Sequence, residues 1–234
     1  MKKILITDGM DKEFIYRLTN LGFEVLNKSC DENELIKLIS GFDVLIIRSK
    51  TKVNKDVLRK GKDGRLKLII RAGVGIDNIN VNFAEALGIT VKNTPNSSTN
   101  SVAELAMAHI FSVARFLGSS NYTMRNGEWN KKIYKGIEVL DKTLGIIGMG
   151  KIGLALGNKA ESLGMKVIYN DLGGENKSIK YQYYNLYELL RISDFVSLHI
   201  PYDNKNGTLI GKSELEIMKE GSFIINCARG RVID

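Results

Sequence analysis

The stretch Leu144-Gly145-Ile146-Ile147-Gly148-Met149-Gly150-Lys151-Ile152-Gly153 decides how this chain folds. A short apolar run is followed by G-x-G-x-x-G and then by an amphipathic pattern through Leu163. Glycines alone also mark ordinary turns, but strand, glycine turn and helix in this order give the motif meaning. Gly148 permits the tight turn, Gly150 lets the backbone approach a pyrophosphate, and Gly153 lets the helix pack closely on the strand. The helix N-terminus adds unpaired N–H groups and the positive end of its dipole. Asp171 lies 18 residues beyond Gly153, at the end of the next apolar run, Lys166–Asn170. A carboxylate there accepts hydrogen bonds from ribose hydroxyls and repels a 2′-phosphate. No arginine follows it closely, so the expected cofactor is NAD rather than NADP. The competing reading, a capped turn without a ligand, has to treat Asp171 as coincidence.

Outward from this motif, short apolar runs alternate with amphipathic stretches. Predicted strands are Lys3–Thr7, Glu24–Asn27, Asp43–Arg48, Leu66–Arg71, Ile89–Asn93, Thr143–Gly148, Lys166–Asn170, Phe195–Ile200 and Ser222–Cys227. Helices are predicted between them, among them Asp11–Leu21, Asp31–Ile39 and Lys151–Leu163. The alternation gives an α/β fold of parallel sheets with helices on both faces. One break interrupts it. After the polar turn Asn93–Ser98 comes the longest helical pattern, Thr99–Leu117, with Ser98, Thr99 or Asn100 as N-cap. Val102, Leu105, Ala106, His109, Ile110 and Val113 form its expected apolar face. A domain boundary is placed there, giving domains of residues 1–98 and 99–234.

The chain has 34 Lys+Arg and 26 Asp+Glu, a net +8, and 44% apolar residues, an ordinary globular composition. Ten cations and two anions fall between Arg48 and Arg71, which accounts for the whole excess. Nucleic acid, an anionic membrane or an anionic small molecule could each answer such a charge. No helix-turn-helix, zinc or RNA-binding signature supports nucleic acid. Cys30 and Cys227 make no disulfide framework or metal cluster, and no apolar run approaches the ~20 residues of a membrane span. The N-terminal apolar stretch ends at Asp8, too early for a signal peptide, so a cytoplasmic location is expected.

Two further segments follow predicted strands. In Asn226-Cys227-Ala228-Arg229-Gly230-Arg231, the guanidinium of Arg229 can hold a carboxylate bidentately and polarise an adjacent carbonyl; an exposed surface arginine is the alternative. Cys227 lacks a partner base for a nucleophile's role. In Arg71-Ala72-Gly73-Val74-Gly75-Ile76-Asp77-Asn78, two glycines flanking one residue suit an anion-binding nest or an ordinary turn. His109 reads as a packing or interface residue. His199, at a strand end in Ser197-Leu198-His199-Ile200-Pro201, is the better candidate base.

Together these residues resemble the D-isomer-specific 2-hydroxyacid dehydrogenase family. Five motifs match in order: Ile47–Val53, Arg71–Asn78, Asn93–Ala106, Gly148–Gly153 with Asp171, and Asn226–Asp234. The resemblance implies a flavodoxin-like substrate-binding domain, a Rossmann-type NAD-binding domain, an active site between them, and a homodimer through the region of Thr99–Leu117. It also implies roles. Arg229 is the catalytic arginine on the substrate carboxylate and carbonyl oxygen. Val74 and Gly75 bind the carboxylate through backbone amides, and Arg48 and Arg71 face a substrate phosphate. Lys151 and Ile152 form the pyrophosphate turn with Gly148, Gly150 and Gly153; Asp171 binds ribose; Ile200, Cys227 and Ala228 line the cofactor. His199 then belongs to an H-x-P strand end and is not the base. The phosphate-facing arginines favour oxidation of 3-phospho-D-glycerate to 3-phosphohydroxypyruvate, as in serine biosynthesis. Glyoxylate/hydroxypyruvate reduction, D-lactate oxidation and a non-catalytic NAD-binding module are the alternatives. The family's catalytic histidine, its orienting glutamate and the helix returning to the first domain have no counterpart in these 234 residues, so little dehydrogenase activity is expected of this polypeptide.

Overall fold

The computed structural model describes residues 1–202 and 207–234. They form two compact units, Met1–Ser98 and Thr99–Asp234. Unit 1 contains β1 (Lys3–Ile6), α1 (Lys12–Asn20), β2 (Glu24–Asn27), α2 (Glu32–Leu38), β3 (Val44–Ile47), α3 (Lys55–Asp63), β4 (Leu68–Arg71), α4 (Val81–Ala86) and β5 (Thr90–Asn93). Its five strands are all parallel, in the order β2-β1-β3-β4-β5. Strand alternation sends Ile4, Ile6 and Ile46 to a core with α1, and Leu5, Leu45 and Ile47 to a core with α2, α3 and α4. Burial on both faces is why the strands read as unbroken apolar runs. All four helices begin at an Asp or Asn whose side chain accepts backbone N–H groups: Asp11, Asp31, Asn54 and Asn80.

Unit 2 contains α5 (Thr99–Arg115), α6 (Leu117–Arg125), β6 (Thr143–Ile147), α7 (Lys151–Ser162), β7 (Lys166–Asn170), β8 (Gln182–Tyr183), α8 (Leu186–Ile192), β9 (Phe195–Leu198), α9 (Lys212–Glu216) and β10 (Phe223–Asn226). Its strands are again parallel, in the order β10-β9-β6-β7-β8. Leu144 and Ile146 face a core with α5 and α7, and Ile147, Val196 and Leu198 face one with α8. Counted within each unit, the strands run second, first, third, fourth, fifth in unit 1 and third, second, first, fourth, fifth in unit 2. The units share one polar device. Asp43, before β3, accepts the N–H of Lys3 at 2.8 Å and pairs with Arg65. Asp194, before β9, accepts the N–H of Thr143 at 2.8 Å and pairs with Lys219.

The predicted helix Thr99–Leu117 is corrected in two ways. It ends at Arg115, because Phe116 adopts a left-handed conformation (φ 55°), and α6 then departs at 64°. Its buried stripe is Ala103, Ala106, Met107, Ile110 and Ala114, whereas Leu105 and His109 are exposed. Small residues fill this stripe, which allows α5 to lie close to α7 and hides the face from a reading based on large apolar side chains. Among the described residues no single helix is long and apolar enough to cross a membrane. Several cations of the basic segment have structural partners. Arg65 pairs with Asp43, Arg59 pairs with Asp56, and Lys55 and Arg59 lie over the ring of Phe83.

Candidate active site

In an open parallel sheet, ligands bind beyond the carboxyl ends of the strands where strand order reverses. In unit 2 that point lies at β6 and β9. Gly148 leaves β6 with φ +94°, and a Cβ there would sit 2.6 Å from the carbonyl oxygen of His199 and 2.8 Å from Ile200 Cγ2. A Cβ on Gly153 would lie 2.3 Å from the Gly148 carbonyl, so α7 and the loop touch backbone to backbone. At Gly150, the N-cap of α7, a Cβ would meet nothing within 4 Å. The first turn of α7 therefore receives no side-chain cap and opens onto a bare backbone surface, a seat suited to a pyrophosphate. Asp171 stands beside it, its Oδ2 accepting the N–H of Met149 at 2.8 Å and its Oδ1 that of Gly173 at 3.0 Å. The carboxylate thus holds the glycine loop closed and keeps lone pairs for a ribose. These residues fit a dinucleotide.

His199 lies under the same loop with its Nε2 2.9 Å from Ser197 Oγ. Burial lowers its pKa to about 4, so it is neutral in the working pH range and unsuited to hold a proton for exchange. Ile200 and Ala228 are half-buried beside the core on the α8 face, and Cys227 is half-buried against the opposite one. Burial raises the Cys227 thiol pKa, which disfavours the nucleophilic thiolate. Beyond β10, the side chain of Asn226 accepts the N–H of Ala228 at 3.0 Å and donates to the carbonyl of Arg229 at 2.9 Å. This small bracket fixes the backbone from which the Arg229 guanidinium extends. Arg229 Nη1 donates to the Ala228 carbonyl at 3.0 Å.

In unit 1 the reversal falls between β1 and β3, and a cavity of about 540 Å³ there is lined by Asp8, Gly9, Met10, Asp11, Arg48 and Ala72. Pairing of Ile47 with Arg71 brings the residues after β3 and β4 out side by side. The exposed guanidinium of Arg48 has no partner among the described residues. Arg71 folds back over Gly73 (φ +153°), where a Cβ would lie 1.4 Å from Nη1, so only glycine accommodates the guanidinium in this position. Its Nε is buried without a hydrogen-bond acceptor among the described residues. The half-buried Val74 and Gly75 follow, with Asn93 Nδ2 donating to the Val74 carbonyl at 2.6 Å. A larger depression of about 710 Å³ flanks the same turn, lined by Ser49, Lys52, Asn78 and neighbours. Neither arginine lines it; Arg48 lines the smaller cavity, together with Asp8 and Asp11. Asp8, Asn78, Asn93 and Asn226 are given no role from sequence, and Gly73 reads there only as part of a nest or turn. Each acts on a backbone or side chain that its own position does not announce.

The model of the D-isomer specific 2-hydroxyacid dehydrogenase NAD-binding domain matches residues 107–234. This chain belongs to the D-isomer-specific 2-hydroxyacid dehydrogenase family. Membership makes it one of the NAD-dependent oxidoreductases acting on CH–OH groups, and residues 107–234 match the family's NAD-binding domain. The chain is 41% identical over 233 residues to hydroxypyruvate reductase of Thermotoga maritima, covering 99% of this chain and 76% of that one. It is 39% identical over 239 residues to D-3-phosphoglycerate dehydrogenase of Methanocaldococcus jannaschii, of which it spans 45%. Among solved structures, an acyclic imino acid reductase in complex with NADPH and D-Arg superposes with a TM-score of 0.90 at 32% identity, covering 99% of this chain and 76% of that one. A Thermus thermophilus protein superposes with a TM-score of 0.92 at 31% identity, over 99% of this chain and 75% of that one.

Proposed function

We propose that these residues serve the NAD-dependent oxidation of 3-phospho-D-glycerate to 3-phosphohydroxypyruvate. The observation that carries a phosphorylated substrate is the pair of guanidiniums at the ends of β3 and β4. Arg48 has no partner among the described residues, and Arg71 has a buried Nε without an acceptor. Leaving a buried donor unmade costs about 1–3 kcal/mol, and a phosphate offers three acceptor oxygens to meet such donors. Val74 and Gly75 present backbone amides to the substrate carboxylate. Arg229 holds that carboxylate and steadies charge on the C2 oxygen as the carbonyl forms, a role its planar fork of donors suits. Gly148, Gly150, Lys151, Ile152 and Gly153 hold the pyrophosphate, Asp171 the ribose, and Ile200, Cys227 and Ala228 flank the cofactor. NAD, when bound, supplies the hydride acceptor for C2. Asp171 favours NAD over NADP, since its carboxylate repels a 2′-phosphate.

Neither histidine suits the hydroxyl proton. His109 is exposed on α5, and His199 is held neutral beneath the glycine loop. With neither histidine as acid/base, turnover is expected to be slow while NAD still binds, loss of such a group costing about 10²–10⁴-fold. A second reading, reduction of hydroxypyruvate or glyoxylate, is supported by the 41% identity to a hydroxypyruvate reductase. Homodimerisation is supported by Leu117, Tyr122, Met124, Trp129 and Ile133, all exposed along α6 and the segment after it. Sedimentation of wild type and Trp129→Glu tests it, a monomeric wild type counting against the dimer. For the substrate, binding of 3-phosphoglycerate and D-glycerate is compared by calorimetry, and phosphohydroxypyruvate reduction is assayed. Equal affinity for the two acids would refute the phosphorylated substrate, and rapid turnover would refute the expectation of weak activity.

A further inference from the structure

The turn Arg48–Thr51, which carries one of the two unpartnered guanidiniums, is held by a carboxylate from a different loop. Asp8 follows β1. Its Oδ2 accepts the N–H of Arg48 at 2.7 Å and that of Thr51 at 3.1 Å, and its Oδ1 accepts the Thr51 hydroxyl at 2.6 Å. Thr51 Oγ1 also meets Thr7 Oγ1 at 2.7 Å, and both threonines are buried. The carbonyls of the same two turn residues are taken by Asn78, whose Nδ2 donates to Arg48 O at 2.9 Å and Thr51 O at 2.7 Å. Four backbone groups, at the two ends of a four-residue turn, are thus gripped by side chains from the loops after β1 and β4.

At the exposed Arg48 end water would satisfy the N–H and C=O groups equally well, so the grip exceeds what that end of the turn needs. What it secures is the Cα of Arg48, while the Arg48 side chain is left to meet something else. Fixing the backbone in advance lowers the ordering cost of a bidentate contact to an anion. Asp8 also lines the cavity that Arg48 lines. A free carboxylate there would oppose an anionic ligand, but this one is committed to backbone and hydroxyl donors. Burial works against its ionised form, yet the hydrogen bonds from the Thr51 hydroxyl and from the N–H groups of Thr51, Arg48 and Lys50 prevail and hold its pKa below the usual value.

We propose that Asp8 is a positioning residue for anion recognition: bonded to both ends of the Arg48–Thr51 turn, it holds Arg48 where the guanidinium reaches the phosphate of the substrate. The proposal rests on the reading of Arg48 as a phosphate ligand. The test is calorimetric titration of the 234-residue chain with 3-phosphoglycerate and with D-glycerate, NADH being saturating, so that the ratio of the two Kd values measures phosphate preference. Asp8→Ala is expected to lower that ratio by about tenfold, the worth of one charge-assisted hydrogen bond. Asp8→Asn keeps an acceptor oxygen for the two N–H groups and should lower it by roughly two- to fourfold. Arg48→Ala should lower it at least as far as Asp8→Ala, and NADH affinity should stay unchanged in all three. A purely structural Asp8 would lower the melting temperature and leave the ratio intact, which overturns the proposal. Should Asp8→Ala fail to fold, an unchanged ratio in Asp8→Asn overturns it equally. If Arg48→Ala itself leaves the ratio unchanged, the reading of Arg48 fails and the role of Asp8 fails with it. A drop in Arg48→Ala without one in the Asp8 variants removes Asp8 alone.

Discussion

Replacing Gly153 by alanine tests the glycine loop at its tightest point. The added Cβ would stand 2.3 Å from the Gly148 carbonyl oxygen and 3.1 Å from Ile146 Cγ2, where ordinary contact begins at 3.4 Å. The first neighbour is backbone, so no side chain can swing aside, and either α7 or the loop must retreat by about 1 Å. Overpacking of this kind costs about 1–3 kcal/mol, which lowers the melting temperature of a unit this size by roughly 3–5 °C per kcal/mol. The same retreat moves the N–H donors at the start of α7. A charge-assisted bond of about 1.5–3 kcal/mol lost to the pyrophosphate weakens NAD binding by roughly 10- to 100-fold. Gly150→Ala is the matched control. Its Cβ meets nothing within 4 Å in the protein, so melting should shift only by the cap preference, at most about 1 kcal/mol, while NAD affinity still falls because the Cβ occupies the pyrophosphate's approach. Differential scanning calorimetry and NADH fluorescence titration on both variants separate the two effects. Wild-type melting and wild-type NADH affinity in Gly153→Ala would show that the loop and α7 are not packed backbone to backbone.

Asp171→Ala removes the acceptor for the Met149 and Gly173 N–H groups as well as the proposed ribose contact. NADH affinity should fall at least about tenfold and NADPH affinity much less, and an unchanged NADH/NADPH preference in fluorescence titration would contradict this. His199 is neutral in the fold with a pKa of about 4, against 6.5 for the free side chain. The unfolded chain therefore takes up this proton first as pH falls, so stability is complete above pH 6.5, declines between 6.5 and about 4, and levels off below. The decline amounts to about 3 kcal/mol, and denaturant titration of His199→Gln should show it gone, whereas a persisting slope would place its origin elsewhere. Asp43→Ala should lower the melting of unit 1 and Asp194→Ala that of unit 2, each by about 1–3 kcal/mol through an orphaned strand N–H. Proteolysis coupled to mass spectrometry tells which unit opens, and loss confined to the unmutated unit would refute the assignment.

The strands were legible because parallel strands covered on both faces cannot afford polar residues, and Leu144–Ile147 or Ile4–Ile6 show this directly. The glycine loop was legible because three backbone constraints fall on three nearby positions. The two-residue strand Gln182–Tyr183 was not, since it is shorter than any periodicity. Nor was the break at Phe116, where a large aromatic residue adopts a left-handed conformation that no local preference favours. The polar grips stayed hidden for another reason. Asp8 acts on residues 40 and 43 positions away, and sequence spacing cannot reveal a partner brought near only by the sheet. At Arg71 the cation was visible in the sequence, whereas its dependence on a bare Gly73 was not.

The buried Nε of Arg71 also bears on how such a site limits the fold around it. A donor without an acceptor weighs against the folded unit in the absence of ligand. Methionine at that position would fill similar volume without the unmet donor, so unit 1 should become more stable as the proposed contact to an anion is lost. Selection for stability alone would favour such a replacement, so under the proposed role recognition and robustness pull in opposite directions at this residue.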